Sequence, residues 1–286
     1  MLLVLVIISL IALIVASVID LKTREVPDWL NYSLIFAGLG IRLIYSIVEW
    51  EISFFLYGFL GFAIMFVLAY LMYYTGQWGG GDSKMMMGLG AMIGFDLSLR
   101  STLLAFLILI IFAGSFYGFI YSIIIAIRNK SKFIPRFNEL KEKHHNIRRI
   151  IISICALLII ISFFMDVYLR IVFLGFAFII LLTFYMFMFY KAVESVCMIK
   201  KVEPEELTEG DWIVDDIMVN KKRICGPKDL GISKEQIAKL INLKKNKKVN
   251  KILIKEGIPF VPSFLLAYLI ILFLNYKGID ILNLFI

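Results

Sequence analysis

Residues 1–20 read MLLVLVIISLIALIVASVID, a nineteen-residue apolar run that the carboxylate of Asp20 closes. A run of about 20 apolar residues is long enough to cross the hydrocarbon layer of a bilayer as a helix. A cleaved signal peptide is the alternative. The run lacks the basic start that is typical of signal peptides, so we expect the helix to be retained.

Seven further apolar runs follow, at 31–48, 52–75, 83–99, 101–127, 150–165, 167–190 and 258–276. The chain of 286 residues is 61% hydrophobic and only 18% charged, whereas soluble domains carry about 25% charged residues. This composition excludes a soluble globular enzyme and a disordered chain. The sequence predicts an all-α polytopic membrane protein with about eight transmembrane helices and a small α+β cytoplasmic domain inserted before the last helix.

The basic residues orient these spans. Alternation of eight spans leaves all but four of the 30 Lys and Arg residues on one side of the membrane. Short loops rich in Lys and Arg stay in the cytoplasm, so we expect that side to be cytoplasmic and both termini to lie outside. The predicted division is a transmembrane core at 1–127, a basic cytoplasmic loop at 128–149, a transmembrane hairpin at 150–190, a cytoplasmic domain at 191–257, and a last helix with its tail at 258–286.

The two cytoplasmic pieces differ in character. The loop at 128–149 holds eight basic and two acidic residues, which fits contact with anionic headgroups or a plain topology determinant. The domain at 191–257 shows strand-like residues at 212–219 and again at 249–254. Between them, Ser233 is a predicted N-cap for a helix to about Asn242, followed by a basic turn at 244–248.

Two carboxylates stand at membrane depth, where charge is costly and indicates function. Asp20 ends the first helix and Asp82 begins the fourth, so topology puts both at the cytoplasmic face. A helix from Asp82 to Leu99 would be about 26 Å long, which places Asp82 just inside the apolar layer. Two such carboxylates do not both ionise cheaply, and a pair that shares one proton suits acid–base hydrolysis. The alternative is two ordinary helix-end residues.

The residues around both aspartates resemble a known family. Residues 79–84 read GGGDSK, which matches the GxGD signature of intramembrane aspartyl proteases and approaches the GxGDxK form of type IV prepilin peptidases. Residues 20–31 read DLKTREVPDWLN, similar to that family's aspartate, five residues and Ile-Pro, with Val26 in place of isoleucine. The resemblance implies a catalytic pair, Asp20 and Asp82, supported by other motif residues, namely Gly79, Gly81, Lys84 and Pro27.

The chain departs from many bacterial members of that family. It has three cysteines and no CxxC pair, and no long loop after the first helix. It therefore resembles the archaeal branch, which processes preflagellins and prepilins without N-methylation. Residues 76–84 lack the Gly-Lys-Ser/Thr of a P-loop, and no Pro-Ala-Leu motif of presenilin-type proteases is present. A transporter or channel that uses intramembrane carboxylates remains the alternative.

The resemblance also implies a substrate. Family substrates are precursors with a short basic leader followed by an apolar helix, so the expected partners are such a pilin or flagellin precursor and the lipid bilayer. Glu25 and Asp28 are candidates for binding the leader. A second candidate is the acidic cluster of the cytoplasmic domain, which is equally a solvated face (Glu203, Glu205, Glu206, Glu209, Asp211, Asp215 and Asp216).

No metal, cofactor or nucleic acid is expected as a partner. The adjacent His144 and His145 have no third ligand nearby in the sequence, so a solvated or headgroup role is expected for them. The glycines before Asp82 let a backbone approach closely, and we expect residues 79–81 to form an edge for an extended substrate strand. The sequence leaves the oligomeric state open.

Overall fold

The computed structural model describes residues 3–98, 100–219, 222–246 and 249–279, and they are mostly helical. The helices of this part are α1 Leu3–Thr23, α2 Asp28–Val48, α3 Ser53–Tyr74, α4 Gly80–Ile93, α5 Thr102–Arg128, α6 Lys130–Lys143, α7 His145–Ser162, α8 Val167–Val196, α9 Lys234–Lys245 and α10 Val261–Tyr276. The tail from residue 280 and part of the basic turn, Lys247 and Lys248, lie outside the described residues.

Six of these helices are long and apolar enough to cross a membrane: α1, α2, α3, α5, α7 and α8. They indicate a multi-pass membrane protein, as the sequence predicts. The predicted fourth and eighth spans form shorter helices, α4 with 14 residues and α10 with 16. At 1.5 Å per residue these are about 21 and 24 Å long, less than the roughly 30 Å of hydrocarbon. The count of eight full spans is not confirmed.

The predicted continuous helix at 83–99 is wrong, because α4 ends at Ile93. Gly94 follows with a φ of +74°, a backbone conformation that residues other than glycine rarely adopt. A Cβ at Gly94 would also lie 2.6 Å from a guanidinium nitrogen of Arg42. The estimate of depth from an unbroken helix between Asp82 and Leu99 therefore fails.

The chain forms two compact units. The first comprises Met1–Ile120, Val202–Ile252 and Glu256–Ile286. In it α4 packs between α2 and α3, and α1 packs against α10. Its core is rich in fully buried methionine and leucine side chains, including Met65, Met85, Met86, Leu89 and Met92.

The second unit comprises Tyr121–Lys201 and Leu253–Lys255 and contains α6, α7 and α8. The basic segment predicted as a loop at 128–149 is instead mostly the helix α6. Phe133, Phe137 and Leu140 recur at helical spacing and form one apolar face. That face packs on Phe184, Met188 and Ala192 of α8, which explains why the basic segment is helical. Helix α8 continues to Val196, past the predicted end of its span at 190.

In its described residues, the predicted α+β region contains two small sheets and one α-helix. The strands are β1 Ile199–Val202, β2 Trp212–Ile213, β3 Ile217–Val219, β4 Lys222–Cys225 and β5 Ile252–Lys255. Strands β1 and β5 are neighbours in one sheet, and β3 pairs antiparallel with β4. The predicted strand at 212–219 is thus two short strands.

The helix predicted after Ser233 is confirmed as α9. The Ser233 hydroxyl accepts from the backbone N–H of Gln236, and the Gln236 side chain accepts from that of Ser233. This reciprocal capping satisfies two N–H groups that would otherwise lack partners at the helix start. Helix α9 extends to Lys245, three residues beyond the predicted end.

Candidate active site

Asp20 lies in the last turn of α1 and is only 3% exposed. Its Oδ2 accepts a hydrogen bond of 3.0 Å from the backbone N–H of Val261, the first residue of α10. A helix N-terminus carries unpaired N–H groups and a partial positive charge, both of which favour an anion. The last helix therefore orients and stabilises the Asp20 carboxylate.

Asp82 lies in the first turn of α4 and is half-buried. Its Oδ2 accepts from the backbone N–H of Gly79, 3.3 Å away, in the residue that precedes the helix. Gly79 is extended, with φ −69° and ψ 163°, so the chain turns into α4 directly before the carboxylate. Asp82 begins this helix as the sequence predicts.

Gly81 brings the two sequence motifs into contact. A Cβ at Gly81 would lie 3.1 Å from the backbone nitrogen of Val26 and 3.2 Å from its Cβ. The buried Asn31 also donates from Nδ2 to the Gly81 carbonyl at 3.3 Å. These contacts hold the start of α4 against the segment after α1, and Asp20 is close enough for its charge to act on Asp82.

The glycines themselves differ from the predicted substrate-binding edge. Gly80 and Gly81 lie within α4 instead of in an extended loop. Gly81 faces Val26, while a Cβ at Gly80 would meet only a ring carbon of Tyr73 at 3.7 Å. Packing within the protein therefore favours glycine at 81.

Of the other predicted site residues, Lys84, Asp28 and Pro27 have contacts within the protein, whereas Glu25 is exposed. Lys84 pairs with Asp28, with Nζ 2.6 Å from Oδ1, and its Nζ lies 5.5 Å from the centre of the Tyr32 ring. Asp28 thus has an intramolecular partner, although its side chain is 60% exposed. Pro27 precedes α2, and its carbonyl accepts from the first turn of that helix.

The sequence does not predict the ion pair and the hydrogen bond that connect the segment after α1 with the segment before α10. Nη1 of Arg24 lies 3.1 Å from Oε2 of Glu256 and donates to the Gly257 carbonyl at 2.9 Å. Glu256 and Gly257 belong to the segment that precedes α10, and the first N–H of that helix donates to Asp20. The proline-containing start of that helix was visible in the sequence, but its contact spans 241 positions and no local pattern reports it.

Arg42 is the second missed residue. It is 6% exposed, and it donates to the carbonyls of Ala91, Met92 and Ile93 at 2.7–3.0 Å. These carbonyls form the last turn of α4, where no intrahelical donor remains. A buried cation at a helix C-terminus is also favourable for the helix dipole. Arg42 thus fixes the end of the helix that begins with Asp82.

The arrangement can perform acid–base chemistry. Two carboxylates meet at the N-termini of two helices, each with a backbone donor on one oxygen, which favours a shared negative charge. In the part of the chain that the structure describes, no group of three or more His, Cys, Asp or Glu side chains could hold a metal ion.

Comparison with known proteins confirms the resemblance to this family. Residues 7–126 match the model of the type IV leader peptidase family, and this segment holds both aspartates. The chain is 32% identical over 133 residues to a preflagellin peptidase of Methanocaldococcus jannaschii, which covers 43% of this chain and 56% of that protein. It is 39% identical over 87 residues to the preflagellin peptidase of Methanococcus maripaludis, which covers 30% and 37%. The chain therefore spans just over half, or less, of the length of the curated relatives it matches.

Proposed function

We propose that this protein is a membrane-embedded aspartic endopeptidase, because the part that matches the type IV leader peptidases contains both Asp20 and Asp82. The charge of Asp20 acts on Asp82, which supports a shared site. It removes the short basic leader from a preflagellin or a similar prepilin precursor, without N-methylation. The observation that carries the proposal is the contact of Gly81 with Val26, which joins the two aspartate motifs. The comparisons do not favour a transporter or channel.

In the proposed mechanism, one aspartate is ionised and the other is protonated. The carboxylate takes a proton from water, the water oxygen attacks the scissile carbonyl carbon, and the carboxylic acid donates its proton to the carbonyl oxygen. Collapse of the tetrahedral intermediate then breaks the C–N bond: the leaving amine takes a proton from the protonated aspartate, and the hydroxyl formed from the carbonyl oxygen returns its proton to the ionised aspartate as the C=O bond re-forms. The backbone donors from Val261 and Gly79 hold the two carboxylates in place throughout.

The proposed substrate places its scissile bond at the cytoplasmic edge of the membrane. The leader stays in the cytoplasm while the apolar helix of the precursor lies in the bilayer beside the enzyme. Glu25 is the better candidate for contact with the basic leader, because it is exposed, whereas Asp28 already pairs with Lys84. The cell membrane is the proposed location, with the site at its cytoplasmic face.

Substitution of each aspartate tests the proposal. We expect Asp20→Asn and Asp82→Asn each to abolish leader cleavage, since asparagine keeps the shape of the side chain but neither accepts nor donates the proton. Cleavage is measured by gel shift after co-expression with candidate precursors. Asp96→Asn is the matched control, because this carboxylate lies past the opposite end of α4, and it should cleave normally.

All three variants should melt within a few degrees of the parent chain in the same detergent. Substantial cleavage by a purified Asp20→Asn or Asp82→Asn variant would rule out the aspartic mechanism. Cleavage is also expected to survive EDTA, because a carboxylate pair activates water without a metal. Loss of activity in EDTA that zinc restores would contradict this expectation.

A further inference from the structure

The second unit contains an apolar groove with basic residues at its edge. A cavity of about 130 Å³ lies where α6, α7 and α8 meet. Apolar side chains from all three helices line it, and His144 and Lys191 complete the lining (Leu140, Ile147, Phe184, Phe187 and Met188). The described residues place no carboxylate in this lining.

The basic groups stand at one end of two membrane-spanning helices. His144 directly precedes α7, and Lys191 lies near the end of α8. The Lys- and Arg-rich segments between the alternating spans indicate that this end lies at the cytoplasmic surface, where anionic headgroups lie. Lys191 extends over the ring of Phe187, with Nζ 5.5 Å from its centre. The apolar part of the lysine side chain thus lies in the groove lining, while its charged ammonium group lies at the groove edge.

Arg148, in the first turn of α7, adds an unsatisfied donor next to Ile147 of the groove lining. It stands one turn after His144, and its Nε is buried without a hydrogen-bond partner among the described residues. A guanidinium N–H in that state requires an acceptor, and a phosphate oxygen is a favoured one. Two acidic residues of α6 and α8 are already paired, Glu139 with Arg136 and Glu194 with Lys255, and the carboxylate of Glu142 is exposed at the end of α6.

We propose that this groove is a binding site for one anionic phospholipid. The apolar walls, which include Phe184 and Phe187, take up part of an acyl chain, and the basic edge binds the phosphate of the headgroup. Charge complementarity selects an anionic lipid over a zwitterionic one, and the position of the groove on α7 and α8 selects a lipid over a soluble ion. Helix α6 then serves as the interfacial element that closes one side of the site.

Lipid competition on the purified full-length protein tests the site. The protein, stripped of lipid in detergent, is incubated with equal amounts of phosphatidylglycerol and phosphatidylcholine that carry the same acyl chains. Native mass spectrometry then counts the lipids that remain bound. We expect retention of phosphatidylglycerol over phosphatidylcholine by about fivefold or more, with one molecule predominating.

Two pairs of matched variants separate the groove from general surface charge. Lys191→Gln should abolish most of the preference, whereas Lys141→Gln should keep it. Lys141 is the proper control because it also extends over a phenylalanine one turn away, with Nζ 5.3 Å from the ring centre of Phe137, but it does not line the groove.

The second pair tests the apolar part of the site without any change of charge. Ile147→Trp narrows the groove and should reduce retention of phosphatidylglycerol. Ile152→Trp alters a side chain of α7 with similar exposure, 46% against 49%, outside the lining and should retain it. Equal retention of both lipids by the parent, or equal loss in both members of either pair, would overturn the proposal.

Discussion

Helices α4 and α8 represent two ways in which a helix is held in a membrane protein. Nine of the 14 residues of α4 are buried inside the protein, whereas only four of the 30 residues of α8 are. Helix α8 is long enough to span the hydrocarbon layer by itself. Helix α4 is too short to do so, and its position depends on contacts with α2 and α3. The proposed catalytic carboxylate Asp82 stands on the helix that protein contacts fix. This difference shows that the precision of the site comes from packing against neighbouring helices, which lipid does not provide.

Glycine contacts make this packing possible. A Cβ at Gly90 of α4 would lie 2.5 Å from the carbonyl oxygen of Gly61 and 2.7 Å from Cβ of Met65. Small residues at such positions let helix backbones approach closely in membranes. A Cβ at Gly175 of α8 would have no neighbour within 4 Å among the residues that the structure describes, so these contacts give glycine no packing role there.

The largest expected effect comes from removing the cation at the end of α4. Arg42→Met leaves the carbonyls of Ala91, Met92 and Ile93 without their side-chain donor in an apolar layer, where unsatisfied backbone groups cost several kcal/mol each. We expect a large fall in melting temperature in detergent and loss of cleavage. Arg42→Lys should recover part of the stability, because lysine donates but lacks the fork of guanidinium.

The matched control for this variant is Arg170→Met in the second unit. Arg170 also donates to backbone carbonyls, those of Ser162 and Met165, but it is exposed at the start of α8. We expect a change in melting temperature of a few degrees at most. If Arg42→Met and Arg170→Met lowered the melting temperature equally, the contrast between the two helices would not hold.

The next effect in size concerns the close approach of α3 and α4. We expect Gly90→Ala to destabilise the protein by about 1–3 kcal/mol, because the added methyl overlaps the Gly61 backbone and Met65. Gly175→Ala in α8 should be neutral or stabilise by up to about 1 kcal/mol, since alanine favours helix over glycine. Equilibrium unfolding in the same detergent compares the two. A penalty at Gly175 as large as that at Gly90 would contradict the packing argument.

A smaller effect on stability is expected at the start of α4. Gly81→Val would place a branched side chain against Val26 and should cost about 1–2 kcal/mol. It should abolish most cleavage, because it moves Asp82 away from Asp20. Gly80→Ala is the control, since only the Tyr73 ring lies near that position, and it should retain most activity. Equal activity of the two variants would remove Gly81 from the proposed site.

The smallest effect is one of reactivity alone. Burial raises the pKa of the Cys225 thiol to about 11, so little thiolate is present near neutral pH. In a variant that keeps only this cysteine, we expect slow alkylation by iodoacetamide that accelerates about tenfold per pH unit from pH 8 to 10. The half-buried Cys197, at the end of α8, should react faster at pH 8. The reverse order would show that burial at Cys225 does not protect its thiol.

The same contrast explains what the sequence could predict. Long apolar runs and the Ser233 cap report local structure, and the alternation of spans puts Asp20 and Asp82 on one face. The end of α4 at Ile93 depends on Arg42, which is distant in sequence. Helix α6 was predicted as a loop because its basic residues obscured the spacing of Phe133, Phe137 and Leu140. The partners of Lys84 and Asp20 could not be read from the sequence, because they lie 56 and 241 positions away.

The hydrogen bond from Val261 to Asp20 has a consequence for biosynthesis. A ribosome makes α1 first, so Asp20 enters the membrane long before the residue that orients its carboxylate exists. Both aspartate motifs are complete once residue 84 has been translated, yet Asp20 acquires this donor only after another 177 residues. A nascent or prematurely terminated chain therefore carries every motif residue of the proposed protease but lacks the backbone group that holds one of them. On this view the enzyme becomes competent only when the ribosome has passed the start of the last helix.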